Sequence, residues 1–186
     1  MSNVVSREQY FKYGLEILAD SGFKGLGINV LCRHFGVTSG SFYHHFGNMR
    51  GYVDALLAFW EDRQVVILRD MAFGAGEPEA DIEKLRDLTL NLHHDAEAAI
   101  RAWGANDESV GAVLKRVDDA RRKTVQKAIL GVVGDRKIAK ALTSLGMSML
   151  VGYQQLSLAG HRDDLGVLLD EFIRLIHSHS AIRQSF

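Results

Sequence analysis

Apolar residues recur at intervals of three and four along most of this 186-residue chain. That spacing is the period of an amphipathic helix, since it places the apolar side chains on one face. Phe11, Leu15 and Leu18 show it near the N-terminus, and Leu85, Leu88 and Leu92 show it in the middle of the chain. Alternating runs of β-branched residues, which are typical of strands, are scarce. The pattern predicts an all-α fold of about nine helices.

Capping residues and glycines divide this pattern into separate helices. The segment Ser6-Arg-Glu-Gln9 has the form of a capping box and is expected to begin the first helix. Asn48, Asp107 and Asp135 each precede a later apolar-periodic stretch and are expected to cap it. The sequence Gly-Ala-Gly-Glu-Pro at 74–78 predicts a loop.

Residues 28–46 predict two short helices joined by a tight turn. Leu31 and Phe35 are four residues apart and share the inner face of the first helix. Gly36 follows at the turn, where glycine adopts the left-handed conformation without steric cost. Thr38 or Ser39 is expected to cap the second helix with its hydroxyl. Two phenylalanines of that helix point inward, and its outward side is thin enough to enter the major groove of DNA.

This segment resembles the helix-turn-helix of TetR-type transcriptional regulators. Residues 36–46 read Gly-Val-Thr-Ser-Gly-Ser-Phe-Tyr-His-His-Phe, close to the family pattern Gly-Val-Ser-x-Gly-x-Leu-Tyr-x-His-Phe. The resemblance implies an N-terminal three-helix DNA-binding domain at residues 1–47. It also implies a C-terminal helical domain at residues 48–186 that binds an effector and dimerises.

The resemblance further implies which residues contact an operator in double-stranded DNA. Positions in the turn and the second helix match those that face bases or phosphates in the family. Gly27 replaces a common threonine, and Met49 replaces a lysine, so Arg50 is expected to take over that phosphate contact. The predicted DNA-binding residues are Gly27, Asn29, Thr38, Ser39, Gly40, Ser41, Tyr43, His44, His45 and Arg50.

Charge and cysteine content add little to this picture. The net charge of −1 does not by itself indicate a nucleic-acid binder, although residues 1–50 hold five Lys or Arg against three Asp or Glu. Cys32 is the single cysteine, which agrees with a reducing cytoplasm. The longest apolar stretch, residues 145–153, is far shorter than the ~20 residues that cross a bilayer. A cytoplasmic protein without a membrane partner is expected.

The last two helices are apolar on more than one face, which predicts a homodimer interface. The residues expected there are Met149, Leu165, Leu168, Phe172 and Ile176. The resemblance also implies a cavity for a small-molecule effector among the middle helices, where apolar walls carry a few polar groups. The residues expected to line it are Leu88, Asn91, Leu92, Trp103, Met147 and Tyr153.

The sequence therefore predicts a homodimeric, sequence-specific DNA-binding regulator, most simply a repressor that a small apolar or amphipathic ligand releases from a palindromic operator. The alternative is a helical small-molecule-binding or protein-interaction module with weakened or lost operator binding, which Gly27 and Met49 invite. An all-α enzyme using the cavity is a third reading. The chain has no Gly-x-Ser-x-Gly, no Cys-x-x-Cys and no His-Glu-x-x-His. Neither a catalytic activity nor a metal or cofactor is expected.

Overall fold

The computed structural model describes residues 5–70, 73, 77–156 and 162–183. Over these residues the chain forms nine α-helices and no strand, which confirms the all-α prediction. A short 3-10 turn, Phe23–Gly25, joins the first two helices. The helices are α1 (Arg7–Ser21), α2 (Ile28–Phe35), α3 (Ser39–Phe46), α4 (Met49–Asp70), α5 (Pro78–Leu90), α6 (His94–Gly104), α7 (Glu108–Val133), α8 (Arg136–Gln155) and α9 (Arg162–Arg183).

The predicted caps are present at four helix starts. The Ser6 hydroxyl accepts from the Gln9 N–H at 3.3 Å, and the Gln9 side chain accepts from the Ser6 N–H at 2.9 Å. The Asn48 side chain accepts from the Gly51 N–H at 2.8 Å. The Asp107 and Asp135 carboxylates cap α7 and α8 in the same way. Each such cap stabilises its helix by about 1 kcal/mol, which explains why these boundaries could be predicted.

The described residues pack into two compact units. The first unit holds the chain up to Gln64 together with His93–Arg116, and the second holds Val65–Leu92 and the chain from Val117 onward. The helix-turn-helix therefore shares a packing unit with α6 and the first turns of α7. The predicted functional boundary between residues 47 and 48 is a different kind of division and stays a prediction.

The core of the second unit is formed by α5, α7, α8 and α9. Its buried residues include Ile82, Ile129, Leu142 and Ile176, each at most 5% exposed. Burying a side chain of this size stabilises a fold by about 1.5–3 kcal/mol. A smaller cluster joins Tyr153, Leu165 and Leu169. None of the described helices is long and apolar enough to cross a membrane.

The residues predicted to form a dimer interface divide into inward and outward positions. Leu165 and Ile176 are 0% and 1% exposed, so they belong to the core of one protomer. Phe172 is half-buried and packs over Gly146, where a Cβ atom would lie 2.8 Å from its ring. Met149 is half-buried beside Tyr153 and its neighbours. Leu168 keeps 38% of its surface exposed.

Candidate nucleic-acid interface

The ring of Tyr10 on α1 sets the positions of α2 and α3. Tyr10 is completely buried, and its ring centroid lies 5.1 Å from that of Phe35, 5.9 Å from Phe42 and 5.4 Å from Phe46. All three contacts are edge-on, a favourable geometry for aromatic pairs that contributes about 0.5–1.5 kcal/mol each beyond simple burial. The inward-facing phenylalanines of α3 are thus held by α1, as their spacing predicts.

A buried hydrogen bond ties α4 to the same tyrosine. The Tyr52 hydroxyl donates to the Tyr10 carbonyl oxygen at 2.9 Å. Burial raises the pKa of Tyr52, so this phenol stays a neutral donor. Gly14 makes the approach possible, because a Cβ atom there would lie 2.0 Å from the Tyr52 hydroxyl oxygen. The start of α4 is therefore fixed against α1.

Gly36 forms the turn between α2 and α3 in the predicted left-handed conformation. Its φ and ψ are 64° and 31°, values that strain a residue carrying a Cβ atom. The Val37 N–H donates to the Cys32 carbonyl at 3.0 Å, which closes the end of α2. Burial also raises the pKa of the Cys32 thiol, so this group behaves as a small apolar residue.

Thr38 occupies the N-cap position of α3, in part as predicted. Its backbone is extended, with φ −78° and ψ 156°, as an N-cap requires. The predicted hydroxyl cap is wrong, because the Thr38 side chain makes no capping hydrogen bond. The exposed hydroxyl instead lies over Gly40, with its oxygen 3.5 Å from where a Cβ atom on Gly40 would be.

The outward side of α3 forms a continuous exposed surface, here called the α3 front and consisting of Thr38, Ser39, Gly40, Tyr43 and His44. All five residues are exposed, and the Tyr43 side chain keeps 49% of its surface open. Hydroxyl, phenol and imidazole groups are suited to phosphates and base edges. The predicted outward position of Ser39, Gly40, Tyr43 and His44 on this helix is therefore confirmed, and their contacts with DNA stay a prediction.

Two predicted DNA-binding residues, Ser41 and His45, are less open than the α3 front. Both are half-buried. The His45 ring lies 5.9 Å from that of Tyr10 and 5.7 Å from that of Phe46. Its side chain thus also packs against the aromatic core.

Arg7 has a role that sequence reasoning did not find. Its Nη1 donates to the His45 carbonyl oxygen at 2.6 Å, and its guanidinium lies 4.9 Å from the centre of the Phe46 ring. A cation at a helix C-terminus is favoured by the free carbonyls there. Arg7 therefore supports the end of α3, and only a contact across 38 residues reveals this.

Arg50 lies at the start of α4 with its head group already engaged. Its Nε is 3.2 Å from the Asp54 carboxylate, and its Nη2 donates to the Ser109 hydroxyl at 3.1 Å. Both side chains of the ion pair are more than half exposed. Exposed pairs of this kind contribute about 0–1 kcal/mol, so the Arg50 guanidinium can leave Asp54 at little cost in stability.

Gly27 and Asn29 lie at the start of α2. Gly27 is the N-cap in extended conformation and offers no side-chain hydrogen bond, as expected for glycine. Asn29 is exposed in the first turn. The predicted role of each in DNA binding stays a prediction.

The charge around the motif is positive although the whole chain is not. Residues 21–53 contain Lys24, Arg33 and Arg50, three histidines and no Asp or Glu. A local excess of positive charge attracts the phosphate backbone irrespective of base sequence. Residues 21–53 are therefore cationic although the net charge of the whole chain is −1.

A cavity of about 70 Å³ lies within the second unit, among α5, α7, α8 and α9. Met147, one of the six residues predicted to line an effector cavity, lines this cavity. Trp103 belongs to the first unit, where its ring stacks on Phe23 with centroids 4.3 Å apart. Tyr153 lies in the apolar cluster with Leu165, and the exposed Asn91 side chain donates to the Asp87 carbonyl at 2.8 Å. Leu88 and Leu92 are half-buried.

Comparison with known proteins agrees with this geometry. Residues 12–56 match the family model for bacterial regulatory proteins of the tetR family. None of the curated proteins searched matches the chain significantly.

Solved structures with the same fold cover nearly the whole chain. A TetR transcriptional regulator from Legionella pneumophila superposes with a TM-score of 0.75 at 14% identity, over 92% of this chain and 98% of its own. A transcriptional regulator from a Rhodococcus species gives 0.73 at 20% identity, over 92% and 96%. The ketosteroid transcriptional regulator KstR2 of Mycobacterium tuberculosis gives 0.62 at 15% identity, over 96% and 95%. The helix-turn-helix of this chain is therefore that of the TetR family of bacterial regulatory proteins, and the whole chain has the fold of TetR-type transcriptional regulators.

Proposed function

We propose that the protein is a homodimeric, sequence-specific DNA-binding regulator of the cytoplasm, acting most simply as a repressor that a small ligand releases from its operator. The observation that carries the proposal is the α3 front. Five exposed residues without a carboxylate among them sit on a helix whose back is held by α1. A rigid helix with a small, polar outward side fits the major groove.

In this proposal Ser39, Gly40 and Tyr43 face bases, while Thr38 and His44 contact phosphates. Arg50 exchanges Asp54 for a phosphate when DNA binds. Asn29 and the half-buried Ser41 and His45 lie beside these contacts. Most hydrogen bonds to the duplex would go to its backbone, with sequence read by the few residues nearest the bases.

Two copies are needed because one recognition helix reads only a few base pairs. The second unit offers a surface for pairing: Leu168 and Leu175 are 38% and 37% exposed, and they lie seven residues apart on one side of α9. Leu145 on α8 is 49% exposed. We place the dimer interface on these residues, with Met149 and Phe172 beneath them, and leave the buried Leu165 and Ile176 to the core of each protomer.

Ligand control follows if the two states of the dimer hold the α3 helices at different separations. A ligand shifts such an equilibrium only through its different affinity for the two states. The cavity among α5, α7, α8 and α9 is the proposed effector site.

Selection of bound fragments from random duplex DNA tests the proposed function directly. We expect the full-length protein to enrich an inverted repeat with half-sites about one helical turn, ~34–36 Å, apart, or a multiple of it. Sequencing the enriched pool measures this. Enrichment of no sequence would contradict operator binding and favour the alternative of a helical module that binds a small molecule or a protein.

The variant Gly40→Ala distinguishes an effect on DNA affinity from an effect on folding stability. A Cβ atom at Gly40 meets only the Thr38 hydroxyl oxygen, at 3.5 Å, which is an ordinary contact. Alanine inside a helix is more favourable than glycine by roughly 0.5–1 kcal/mol. We therefore expect urea unfolding to show higher stability while affinity for the selected operator falls at least ~10-fold, because the added methyl holds the backbone away from the DNA. Unchanged affinity would show that the backbone at Gly40 does not approach the duplex.

A further inference from the structure

The cavity of the second unit is apolar over nearly all of its wall. Residues contributed by all four surrounding helices form it, among them Ile82, Leu85, Ile129, Met147, Leu169 and Phe172. Such a wall gains free energy when it covers hydrocarbon and offers nothing to a polar molecule. The body of any occupant must therefore be apolar.

One charged side chain interrupts this wall. Arg86 on α5 lines the cavity, and only a quarter of its side chain is exposed. Thr89 lies one turn further along the same side of α5 and also lines the cavity. The Thr89 hydroxyl donates to the Leu85 carbonyl at 2.7 Å, so its oxygen lone pairs can still accept. Arg86 and Thr89 are thus the two polar side chains among the residues that line this cavity.

The Arg86 guanidinium is held by a partner that a ligand can replace. Its Nε donates to the Asp170 carboxylate of α9 at 2.7 Å, and its Nη1 lies 3.8 Å from Asp87. Asp170 is about half exposed, so water can solvate its carboxylate once the guanidinium is shared. Guanidinium has five N–H donors in a planar fork that matches a carboxylate. The Arg86 guanidinium is thus held in place by Asp170, carries a positive charge and has N–H donors left for a ligand.

We infer that this cavity binds a small aliphatic carboxylate, with the hydrocarbon tail among the apolar residues and the carboxylate on Arg86, where it competes with Asp170. The inference rests on the proposed function of the second unit as the effector-binding part. A neutral alcohol of the same length would leave the Arg86–Asp170 pair in place, and an amine would be repelled by Arg86. Selectivity for the anion therefore distinguishes this site from a cavity that binds ligands through apolar contacts alone.

The size of the cavity sets the length of the probe. In the liquid a water molecule occupies about 30 Å³, so about 70 Å³ corresponds to roughly two water molecules. A tail of about three carbons fills such a space. Sodium butanoate and 1-butanol differ at the head group alone and make a matched pair. Isothermal titration of the full-length protein with each measures the two affinities.

We expect butanoate to bind at least ~10-fold more tightly than 1-butanol, since only the carboxylate can accept from the Arg86 guanidinium while water solvates Asp170. Arg86→Gln should weaken butanoate binding by ~10-fold or more and leave 1-butanol within about 2-fold. Asp170→Asn should tighten butanoate binding, because the competing carboxylate is lost. Arg116→Gln is the matched control, since Arg116 pairs with Glu61 within the first unit and does not line the cavity. It should behave as wild type.

Three results would overturn the inference: equal affinity for butanoate and 1-butanol, no binding of either, or full selectivity retained in Arg86→Gln. Thermal melting and the 1-butanol titration show whether Arg86→Gln is folded, and Asp170→Asn gives an independent readout in the opposite direction. Adding butanoate to the operator complex separates this inference from the proposed function. Butanoate binding without DNA release would contradict ligand control and leave the anion site standing, and failure to bind butanoate would leave operator binding untouched.

Discussion

Tyr43→Ala should abolish specific retardation of the selected operator in a gel shift. Tyr43 is 49% exposed on the α3 front, so its ring contributes little to the core. A good contact to a base edge is worth ~1–3 kcal/mol, and the proposed dimer would lose two of them. The expected loss of affinity is therefore on the order of 100-fold or more. Circular dichroism and thermal melting should remain close to wild type.

Tyr43→Phe is the matched variant for this test. It keeps the ring, which can lie against a thymine methyl, and removes the hydroxyl, which can donate to a phosphate. Retained binding would assign the contact to the ring, and loss would assign it to the hydroxyl. Full operator binding by a well-folded Tyr43→Ala protein would mean that the α3 front is not the surface that reads DNA.

The double variant Leu168→Glu/Leu175→Glu should convert the proposed dimer to monomers. Both leucines lie on one side of α9 and are more than a third exposed in a single protomer. Two carboxylates per protomer would be desolvated and brought near their own copies in a two-fold interface, at a cost of several kcal/mol. Light scattering measures the change in mass. Operator affinity should fall at least ~100-fold, because the second half-site no longer binds intramolecularly.

Val66→Glu on α4 is the control for this pair. Val66 is 37% exposed, the same as Leu175, so this single change matches each of the two leucine substitutions in exposure and in the carboxylate that it adds. It should leave the mass and the DNA affinity unchanged. Persistent dimers in the double variant would place the interface on another surface, and a monomeric wild-type protein would contradict the dimer altogether.

Local features were readable from the sequence because their causes are local. The turn at Gly36, the cap at Asn48 and the inward phenylalanines of α3 each depend on a few neighbouring residues. A helix-turn-helix consists almost entirely of such features, and its exposed side follows from the period of its buried side. The α3 front could therefore be predicted nearly residue by residue.

Long-range contacts were not readable in this way. No local sequence pattern predicts that Arg7 donates to the carbonyl of His45 or that Trp103 stacks on Phe23. On α9, leucine, isoleucine and phenylalanine occur on several sides, so periodicity alone did not show that Leu165 and Ile176 turn inward while Leu168 turns outward. Likewise, Arg86 reads as an ordinary surface arginine until α9 brings Asp170 and the cavity beside it.

The contact between Gly14 and Tyr52 ties two distant positions into a single evolutionary unit. A methyl group at position 14 would lie only 2.0 Å from the Tyr52 hydroxyl oxygen and would overlap it. The ring carbon that carries this hydroxyl would be 3.2 Å from the same methyl group. A larger residue at position 14 therefore requires the loss of the tyrosine at position 52. That loss removes the hydroxyl that donates to the Tyr10 carbonyl. Across related chains the two positions should vary together or not at all.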